Sequence, residues 1–241
     1  MDISNAAILV TGANRGIGRR IVDCLLAAGA PRIYAGARDP AKLGALAENE
    51  RIVPVALDVT DLAQVAAAAE HCADVTLLIN NAGVNRNRPL IAEPEALANA
   101  RAEIEVNYLG TLSMCRAFAP VLKANGGGMI VNILSAIGRV SLPALGSYCA
   151  SKAAEYSMTQ GVRAELAAQG THVMGVLPGA VDTDMTPGGD ARPEDVAAAI
   201  VEAIANVVED LYPDAMAQGL SEGLARDAKA VEKEMAAYLP G

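Results

Sequence analysis

Tyr148 and Lys152 lie four residues apart in the segment Tyr-Cys-Ala-Ser-Lys. On an α-helix this spacing places a phenol and an ammonium on the same face, about one turn apart. A positive charge beside a phenol favours the phenolate, so we expect Lys152 to lower the pKa of Tyr148 from its ordinary value of about 10. The pair is therefore a candidate for proton exchange near neutral pH.

A glycine-rich stretch, Thr-Gly-Ala-Asn-Arg-Gly-Ile-Gly at residues 11–18, provides the second chemical signal. It follows an apolar strand pattern and begins a helical pattern. Gly12 permits a tight turn, Gly16 lets the backbone approach a pyrophosphate, and Gly18 allows close helix packing. The N–H groups at the helix N-terminus can bind the anion. Together with a tuned proton donor, this loop predicts a nicotinamide-dependent oxidoreductase.

The end of the second predicted strand indicates which dinucleotide is bound. An acidic side chain there binds the adenosine ribose, whereas arginine accommodates a 2′-phosphate. The strand ends in Gly-Ala-Arg at Arg38, and Arg15 in the glycine loop can reach the same phosphate. These two guanidiniums favour NADP(H) over NAD(H). Asp39 would weaken this preference if it faced the ribose, but we interpret it as the N-cap of a helix that begins at Pro40.

Strand and helix patterns alternate along the whole chain. The alternation predicts an α/β fold: a Rossmann-type, doubly wound parallel sheet in three αβα layers, with ligands at the carboxyl ends of the strands. No linker or repeat interrupts it, so we expect one domain over residues 1–241. The predicted strands are 6–10, 33–37, 52–57, 75–79, 129–134 and 172–177. The predicted helices are 16–28, 61–72, 94–124, one that carries Tyr148 and Lys152, and 193–207.

Composition restricts the partners of this chain. The formal net charge is −9, which argues against nucleic acid or an anionic membrane. No segment approaches the ~18 consecutive apolar residues of a membrane span, and the N-terminus has no signal-like pattern. We therefore expect a cytoplasmic protein. The cysteines match no metal or redox spacing, so we expect buried, reduced thiols and no metal site; they are Cys24, Cys72, Cys115 and Cys149.

Further motifs complete a pattern that resembles the short-chain dehydrogenase/reductase family over about residues 6–200. They occur in the order of that family: the glycine pattern at 11–18, Asn80-Asn81-Ala82-Gly83, Asn107, Ser135, the Tyr148–Lys152 pair, Pro178-Gly179 and Thr183. The positions of the two arginines resemble those in its NADPH-dependent carbonyl reductases. Taken singly, each polar residue has an ordinary structural interpretation; together and in this order they favour catalysis.

The resemblance implies four catalytic residues: Asn107, Ser135, Tyr148 and Lys152. Tyr148 would donate a proton to a carbonyl oxygen that Ser135 polarises. Lys152 would lower the pKa of Tyr148 and hold the nicotinamide ribose. Asn107 would support a water that relays protons to Lys152.

The resemblance also implies a set of cofactor contacts. Asp58 and Val59 would contact the adenine, whereas Asn81 is expected to tie neighbouring strands together through its side chain. The full implied set is Gly12, Asn14, Arg15, Gly16, Ile17, Gly18, Arg38, Asp58, Val59, Asn80, Ala82, Gly83, Tyr148, Lys152, Pro178, Gly179, Val181 and Thr183.

Two departures from the family pattern concern the substrate and the assembly. The substrate loop, about 181–192, is short. The usual C-terminal strand is absent from the pattern, and a divergent helix at about 217–239 follows instead. We therefore expect a homodimer, with a tetramer as the alternative. Apolar candidate pocket residues favour a small apolar aldehyde or ketone, or the corresponding alcohol. His71 and His172 match no motif and are interpreted as structural.

Two other functions remain open on the sequence alone. A redox-sensing regulator would bind NADP(H) without turnover, but it would not need all four catalytic residues. An epimerase or dehydratase of the related extended type would need a larger C-terminal substrate domain than the roughly 40 remaining residues allow.

Overall fold

A parallel sheet forms the centre of the structure, a computed structural model that describes residues 1–86 and 88–238. Within these residues the sheet has seven strands: β1 (Ala7–Thr11), β2 (Arg32–Ala37), β3 (Ile52–Ala56), β4 (Leu77–Asn80), β5 (Gly128–Ile133), β6 (Thr171–Val176) and β7 (Asp210–Leu211). The α-helices are α1 (Gly16–Ala27), α2 (Leu62–His71), α3 (Ala96–Glu103), α4 (Thr111–Ala124), α5 (Gly146–Leu166), α6 (Pro193–Ala205) and α7 (Ala215–Met235).

The strand order is β3-β2-β1-β4-β5-β6-β7, and all described pairs are parallel. The chain winds outward in one direction from β1 to β3, and then in the other direction from β4. The topological switch point therefore lies between β1 and β4, where ligands of such sheets bind. This confirms the predicted doubly wound Rossmann-type fold.

Apolar cores cover both faces of the sheet because successive strand residues point to opposite sides. In β1, Ile8 and Val10 pack with α1 and α6 in one core, whereas Leu9 packs with α2 and α4 in the other. Phe118, the single phenylalanine, is fully buried in the second core. This two-sided burial explains why the strands are almost continuously hydrophobic.

The predicted single helix over 94–124 is wrong in detail. The segment comprises α3, a π-helix at Ile104–Gly110 and α4. A π-helix adds a residue to the turn, and such elements occur frequently at functional sites. A pattern with a period of 3.6 residues cannot reveal it.

The expectation that the C-terminal strand is absent is also wrong. β7 pairs with β6 through Gly175 and Val176. It has only two residues, so no alternating pattern could indicate it. The following helix, α7, begins earlier than predicted, and its backbone leaves helical geometry at Asp227. The predicted end at residue 239 lies outside the described residues.

Candidate active site

A cleft lies across the carboxyl ends of the strands, at the predicted position. It contains both the glycine loop and the Tyr148–Lys152 pair. Its lining residues are Gly12, Asn14, Arg15, Gly16, Ile17, Ala37, Arg38, Leu57, Asp58, Val59, Thr60, Asn81, Ala82, Gly83, Val84, Val106, Ile133, Leu134, Ser135, Tyr148, Lys152, Pro178, Gly179, Val181, Thr183, Asp184, Met185 and Thr186. Sixteen of the eighteen predicted cofactor contacts are among them; Gly18 and Asn80 are not.

The glycine loop is shaped to hold an anion against the backbone. Gly12 and Gly16 have φ values of +65° and +54°, a conformation that favours glycine. Arg15 occupies the N-cap of α1, and its side chain makes no capping hydrogen bond. The first N–H groups of α1 therefore have no side-chain acceptor at the N-cap, and the first two residues of the helix, Gly16 and Ile17, line the cleft. Such groups bind phosphate.

Asn81 braces this loop from the neighbouring strand. Its Nδ2 donates to the carbonyl oxygens of Thr11 and Gly12 at 3.0 and 3.1 Å. The hydroxyl of Thr11 in turn accepts hydrogen bonds from the backbone N–H groups of Asn81 and Ala82. These contacts confirm the predicted tie between strands, because they join the ends of β1 and β4 on either side of the switch point.

Two arginines with exposed side chains, Arg15 and Arg38, line the cleft next to the glycine loop and the end of β2. Asp39 serves a different purpose, because its carboxylate accepts the N–H of Ala41 at 3.2 Å and caps the 3-10 helix at Pro40–Glu48. This confirms its interpretation as a helix cap. Arg15 also pairs with Asp184 of the substrate loop at 3.6 Å, so this contact joins two walls of the cleft.

The catalytic candidates come from the end of β5 and from α5. Ser135 follows β5, while Tyr148 and Lys152 lie in the first two turns of α5, as the four-residue spacing predicts. All three line the cleft. A hydroxyl, a phenol and an ammonium therefore share one wall, next to the site that the glycine loop provides.

The Lys152 ammonium acts on the Tyr148 pKa in the predicted direction, but the expected net lowering of that pKa is wrong. Burial raises the pKa of Tyr148; the Lys152 ammonium opposes this rise, Glu155 adds to it, and the hydroxyl of Ser135 opposes it. The net pKa lies above its ordinary value. The sequence indicated the Lys152 ammonium but neither the burial of Tyr148 nor the nearby charge of Glu155.

Lys152 is itself buried and held by two acceptors. Its Nζ donates to the carbonyl oxygen of Ile133 at 2.8 Å and to Glu155 Oε2 at 2.6 Å. Burial alone would lower the pKa of Lys152, but Glu155 and Tyr148 together raise it. The ammonium therefore stays charged, and one of its three N–H donors is not used by these two acceptors.

Asn107 lies in the π-helix and is fully buried. Its Oδ1 accepts the N–H of Val84 at 2.8 Å, and its Nδ2 donates to the Val84 carbonyl and to the Ser151 hydroxyl at 2.9 Å each. The side chain thus ties the cleft-lining segment at Val84 to α5. Asn107 does not line the cleft, and its predicted support of a proton-relaying water stays a prediction.

Asn80 belongs to a buried polar ladder below the cleft. Its Nδ2 donates to Asn132 Oδ1 at 2.9 Å, Asn132 Nδ2 donates to Thr159 Oγ1 at 2.9 Å, and Thr159 Oγ1 donates to the backbone oxygen of Glu155 at 2.8 Å. The Asn80 side chain therefore points into the ladder, and a contact between Asn80 and the cofactor stays a prediction. Gly18 lets α1 pack against Asn81.

A hydrogen bond joins the turn after β6 to the N-terminus of α7. Gly179, which lines the cleft, donates its N–H to Asp214 Oδ2 at 2.8 Å. Further along, the substrate loop returns to the fold through a parallel bridge between Val181 and Ala191. Met185 in the substrate loop is an apolar residue that also lines the cleft.

Sequence reasoning missed Glu155, which the structure places against Lys152. The signal was present, because an acid three residues after a lysine on a helix can pair with it. It also missed Asp184 as a partner of Arg15, which depends on the path of a loop.

In the described part of the chain, no group of three or more His, Cys, Asp or Glu residues is arranged to hold a metal ion. None of the described helices is long and apolar enough to cross a membrane.

Comparison with known proteins agrees with this geometry. The family model described as short chain dehydrogenase matches residues 6–193. A galactitol 2-dehydrogenase (L-tagatose-forming) from Cereibacter sphaeroides is 38% identical over 200 residues, 80% of this chain and 78% of that protein. A sorbitol dehydrogenase from the same organism is 33% identical over 198 residues, 80% of this chain and 77% of that protein.

A solved structure covers the whole length. It is a short chain dehydrogenase from Burkholderia cenocepacia J2315 in complex with NADP, with 45% sequence identity, a TM-score of 0.91 and full coverage of both chains. The protein therefore belongs to the short-chain dehydrogenase/reductase family. It is an oxidoreductase built on that family's single-domain fold.

Proposed function

We propose that this protein is an NADP(H)-dependent oxidoreductase that reduces a small ketone or aldehyde to an alcohol, or catalyses the reverse reaction. The observation that carries the proposal is the shared wall of Ser135, Tyr148 and Lys152 in a cleft that continues into the glycine loop. The similar NADP complex supports the choice of cofactor.

The residues of the cleft fit a phosphorylated dinucleotide. The N-terminus of α1, which has no side-chain cap, would bind the pyrophosphate, and Gly16 would leave room for its approach. Arg15 and Arg38 would bind a 2′-phosphate, and Asp39 is committed to its helix cap. Asp58 and Val59 would contact the adenine. Gly179, Val181 and Thr183 would border the nicotinamide.

Each catalytic side chain has a distinct role. When bound, the nicotinamide supplies the hydride. Ser135 donates a hydrogen bond to the carbonyl oxygen of the substrate, and Tyr148 transfers its phenolic proton to that oxygen as negative charge develops. Lys152 stabilises the resulting phenolate and directs its remaining N–H toward the cleft. Asn107 positions Val84 and α5 around them, with the water relay as a further prediction.

The substrate is proposed to be small and mainly apolar around its carbonyl group. Val84, Leu134 and Met185 supply apolar surface near the reactive side chains, and Ser135 is the hydroxyl that polarises the oxygen. The two sugar-alcohol dehydrogenases among the similar proteins support a secondary alcohol or ketone as the reacting group.

We further infer a homodimer and a cytoplasmic location. The two-residue β7 offers only a short edge for further strand pairing, which favours contact through α4 and α5. Sedimentation of the purified protein tests the assembly, and a stable tetramer would contradict it.

The test of the activity is NADPH oxidation against a panel of aldehydes, ketones and diketones. Tyr148→Phe should lower turnover by about 10²–10⁴-fold, the usual contribution of a positioned general acid. Tyr156→Phe is the matched control, because Tyr156 lies on the same helix and donates its hydroxyl to Asp210 at 3.1 Å, outside the cleft lining. Tight NADPH binding without turnover of any carbonyl would contradict the reductase and favour a redox sensor.

A further inference from the structure

Glu155 is a buried carboxylate placed directly against the catalytic ammonium. Its side chain is 1% exposed, and that of Lys152 is 5% exposed. Glu155 Oε2 accepts from Lys152 Nζ at 2.6 Å, while Oε1 accepts from the hydroxyl of Thr111 on α4 at 3.1 Å. Both oxygens therefore have donors, as a buried carboxylate requires. Burial raises the pKa of Glu155, and the contacts with Lys152 and Thr111 oppose that rise.

The neighbours of this carboxylate define a small electrostatic unit. Tyr148, Cys149 and Lys152 share α5 with it, Cys115 faces it from α4, and the pKa of the Cys115 thiol is raised to about 12, mainly by burial and then by Glu155. Glu103 on α3 contributes to the raised pKa of Cys149. Lys152 thus carries the positive charge of this unit, and Glu155 is the carboxylate that accepts its hydrogen bond.

An ammonium that is paired with a carboxylate affects Tyr148 differently from an unpaired ammonium. An isolated positive charge beside Tyr148 strongly favours the phenolate. When a carboxylate lies 2.6 Å from that ammonium, Tyr148 experiences the field of both charges, and the net attraction for a phenolate decreases. The same contact fixes Lys152 Nζ between the Ile133 carbonyl oxygen and Glu155.

We propose that Glu155 is a positioning residue that fixes the Lys152 ammonium and sets the pH at which Tyr148 exchanges its proton, so that Tyr148 stays protonated as the donor for carbonyl reduction. This inference rests on the proposed function for its role in catalysis. The effect on Tyr148 is nevertheless a property of the folded protein and can be measured without substrate.

The test is a pH titration of tyrosinate ultraviolet absorbance. The signal of Tyr148 is the difference between each protein and its Tyr148→Phe counterpart. Glu155→Gln removes the charge and keeps an oxygen acceptor for Lys152 or Thr111. We expect it to move the midpoint of the Tyr148 signal to lower pH by about one unit, a tenfold change in proton affinity. Glu155→Asp retains the charge and should remain closer to the unmodified protein.

Two results would overturn the proposal. One is an unchanged Tyr148 midpoint in a folded Glu155→Gln protein. The other needs no Glu155 variant and applies even if that variant does not fold: a Tyr148 midpoint near pH 7 in the unmodified protein, instead of above its ordinary value of about 10.

The outcome can be separated from that of the proposed function. NADPH binding and carbonyl turnover are measured on the same proteins. Absence of turnover in the unmodified protein would contradict the reductase and leave the titration result standing. Turnover that depends on Tyr148, combined with an unchanged midpoint in Glu155→Gln, would remove only the role of Glu155.

Discussion

The carboxylate of Asp214 joins the C-terminal helix to the cleft through Gly179. Its Oδ2 accepts the Gly179 N–H at 2.8 Å, and its Oδ1 accepts the N–H of Ala217 at 2.9 Å in the first turn of α7. One side chain therefore caps α7 and fixes the turn after β6. The position of Gly179 in the cleft lining thus depends on α7, which follows the last strand of the sheet.

Replacing Asp214 with alanine should affect both stability and cofactor binding. Loss of the cap should lower the free energy of unfolding by about 0.5–2 kcal/mol, and release of Gly179 should weaken NADPH binding. Asp227→Ala is the matched control, since Asp227 caps the second part of the same helix by accepting the Ala230 N–H at 3.0 Å and does not line the cleft. Chemical denaturation and NADPH fluorescence measure the two effects. Equal NADPH affinities in both variants would contradict the coupling.

Arg38 should determine the preference for NADPH over NADH. Arg38→Leu removes a guanidinium that would pair with the 2′-phosphate, so we expect NADPH affinity to fall at least tenfold while NADH affinity changes little. Arg32→Leu removes an exposed arginine at the other end of β2, where it pairs with Asp74, and serves as the control. Titration with both cofactors measures the ratio. An unchanged ratio of NADPH to NADH affinity in Arg38→Leu would show that Arg38 does not determine the preference.

Gly18 should tolerate no side chain. A Cβ atom there would lie 2.3 Å from Asn81 Nδ2 and 2.4 Å from the Gly12 carbonyl oxygen. Gly18→Ala should therefore destabilise the protein by about 1–3 kcal/mol, the usual cost of overpacking, and weaken NADPH binding.

Gly161→Ala tests whether this effect is specific to the glycine loop. Gly161 lies in α5 with open space around its Cβ position, so alanine should stabilise the helix by about 0.5–1 kcal/mol. Thermal or chemical unfolding of both variants shows whether Gly18→Ala lowers the stability of the protein while Gly161→Ala raises it. Destabilisation of similar size in both would refute the packing argument.

The two directions of the reaction should depend differently on pH. The pKa of Tyr148 is raised above its ordinary value of about 10, so the protonated form persists through neutral and moderately alkaline pH. Reduction needs this form and should be constant with pH across that range. Oxidation needs the phenolate and should accelerate as the pH rises. Initial rates in both directions from pH 6 to about 10 test this sign, and an oxidation rate already saturated at neutral pH would contradict it.

The sequence was most informative where one local pattern fixes the geometry. The tight turn at Gly12 and the placement of Tyr148 and Lys152 on one helix depend on neighbouring residues only, and both appear as predicted. The strand and helix patterns predicted the doubly wound sheet for the same reason. Each element carries its own apolar face, and the connection rules restrict how such elements assemble.

What escaped prediction depends on contacts between distant segments. Asn80 and Asn81 are adjacent, yet one faces the buried ladder and the other the glycine loop, because successive residues point to opposite faces. The sequence predicted the tie made by Asn81 but not the burial of the Asn80 side chain in the ladder. The burial of Tyr148 and Lys152 requires the packed helices around them, so the direction of the Tyr148 pKa could not be read from the Tyr–Lys pair alone.

The polar ladder below the cleft has a consequence for how this chain can evolve. Asn132 is its middle rung, joined to Asn80 on one side and to Thr159 on the other, and Thr159 is bonded to the backbone of Glu155. Changing one rung alone leaves a buried partner unpaired at a cost of about 1–3 kcal/mol. Among descendants of this sequence, substitutions at positions 80, 132 and 159 should therefore appear together, as one inherited unit beneath the cleft.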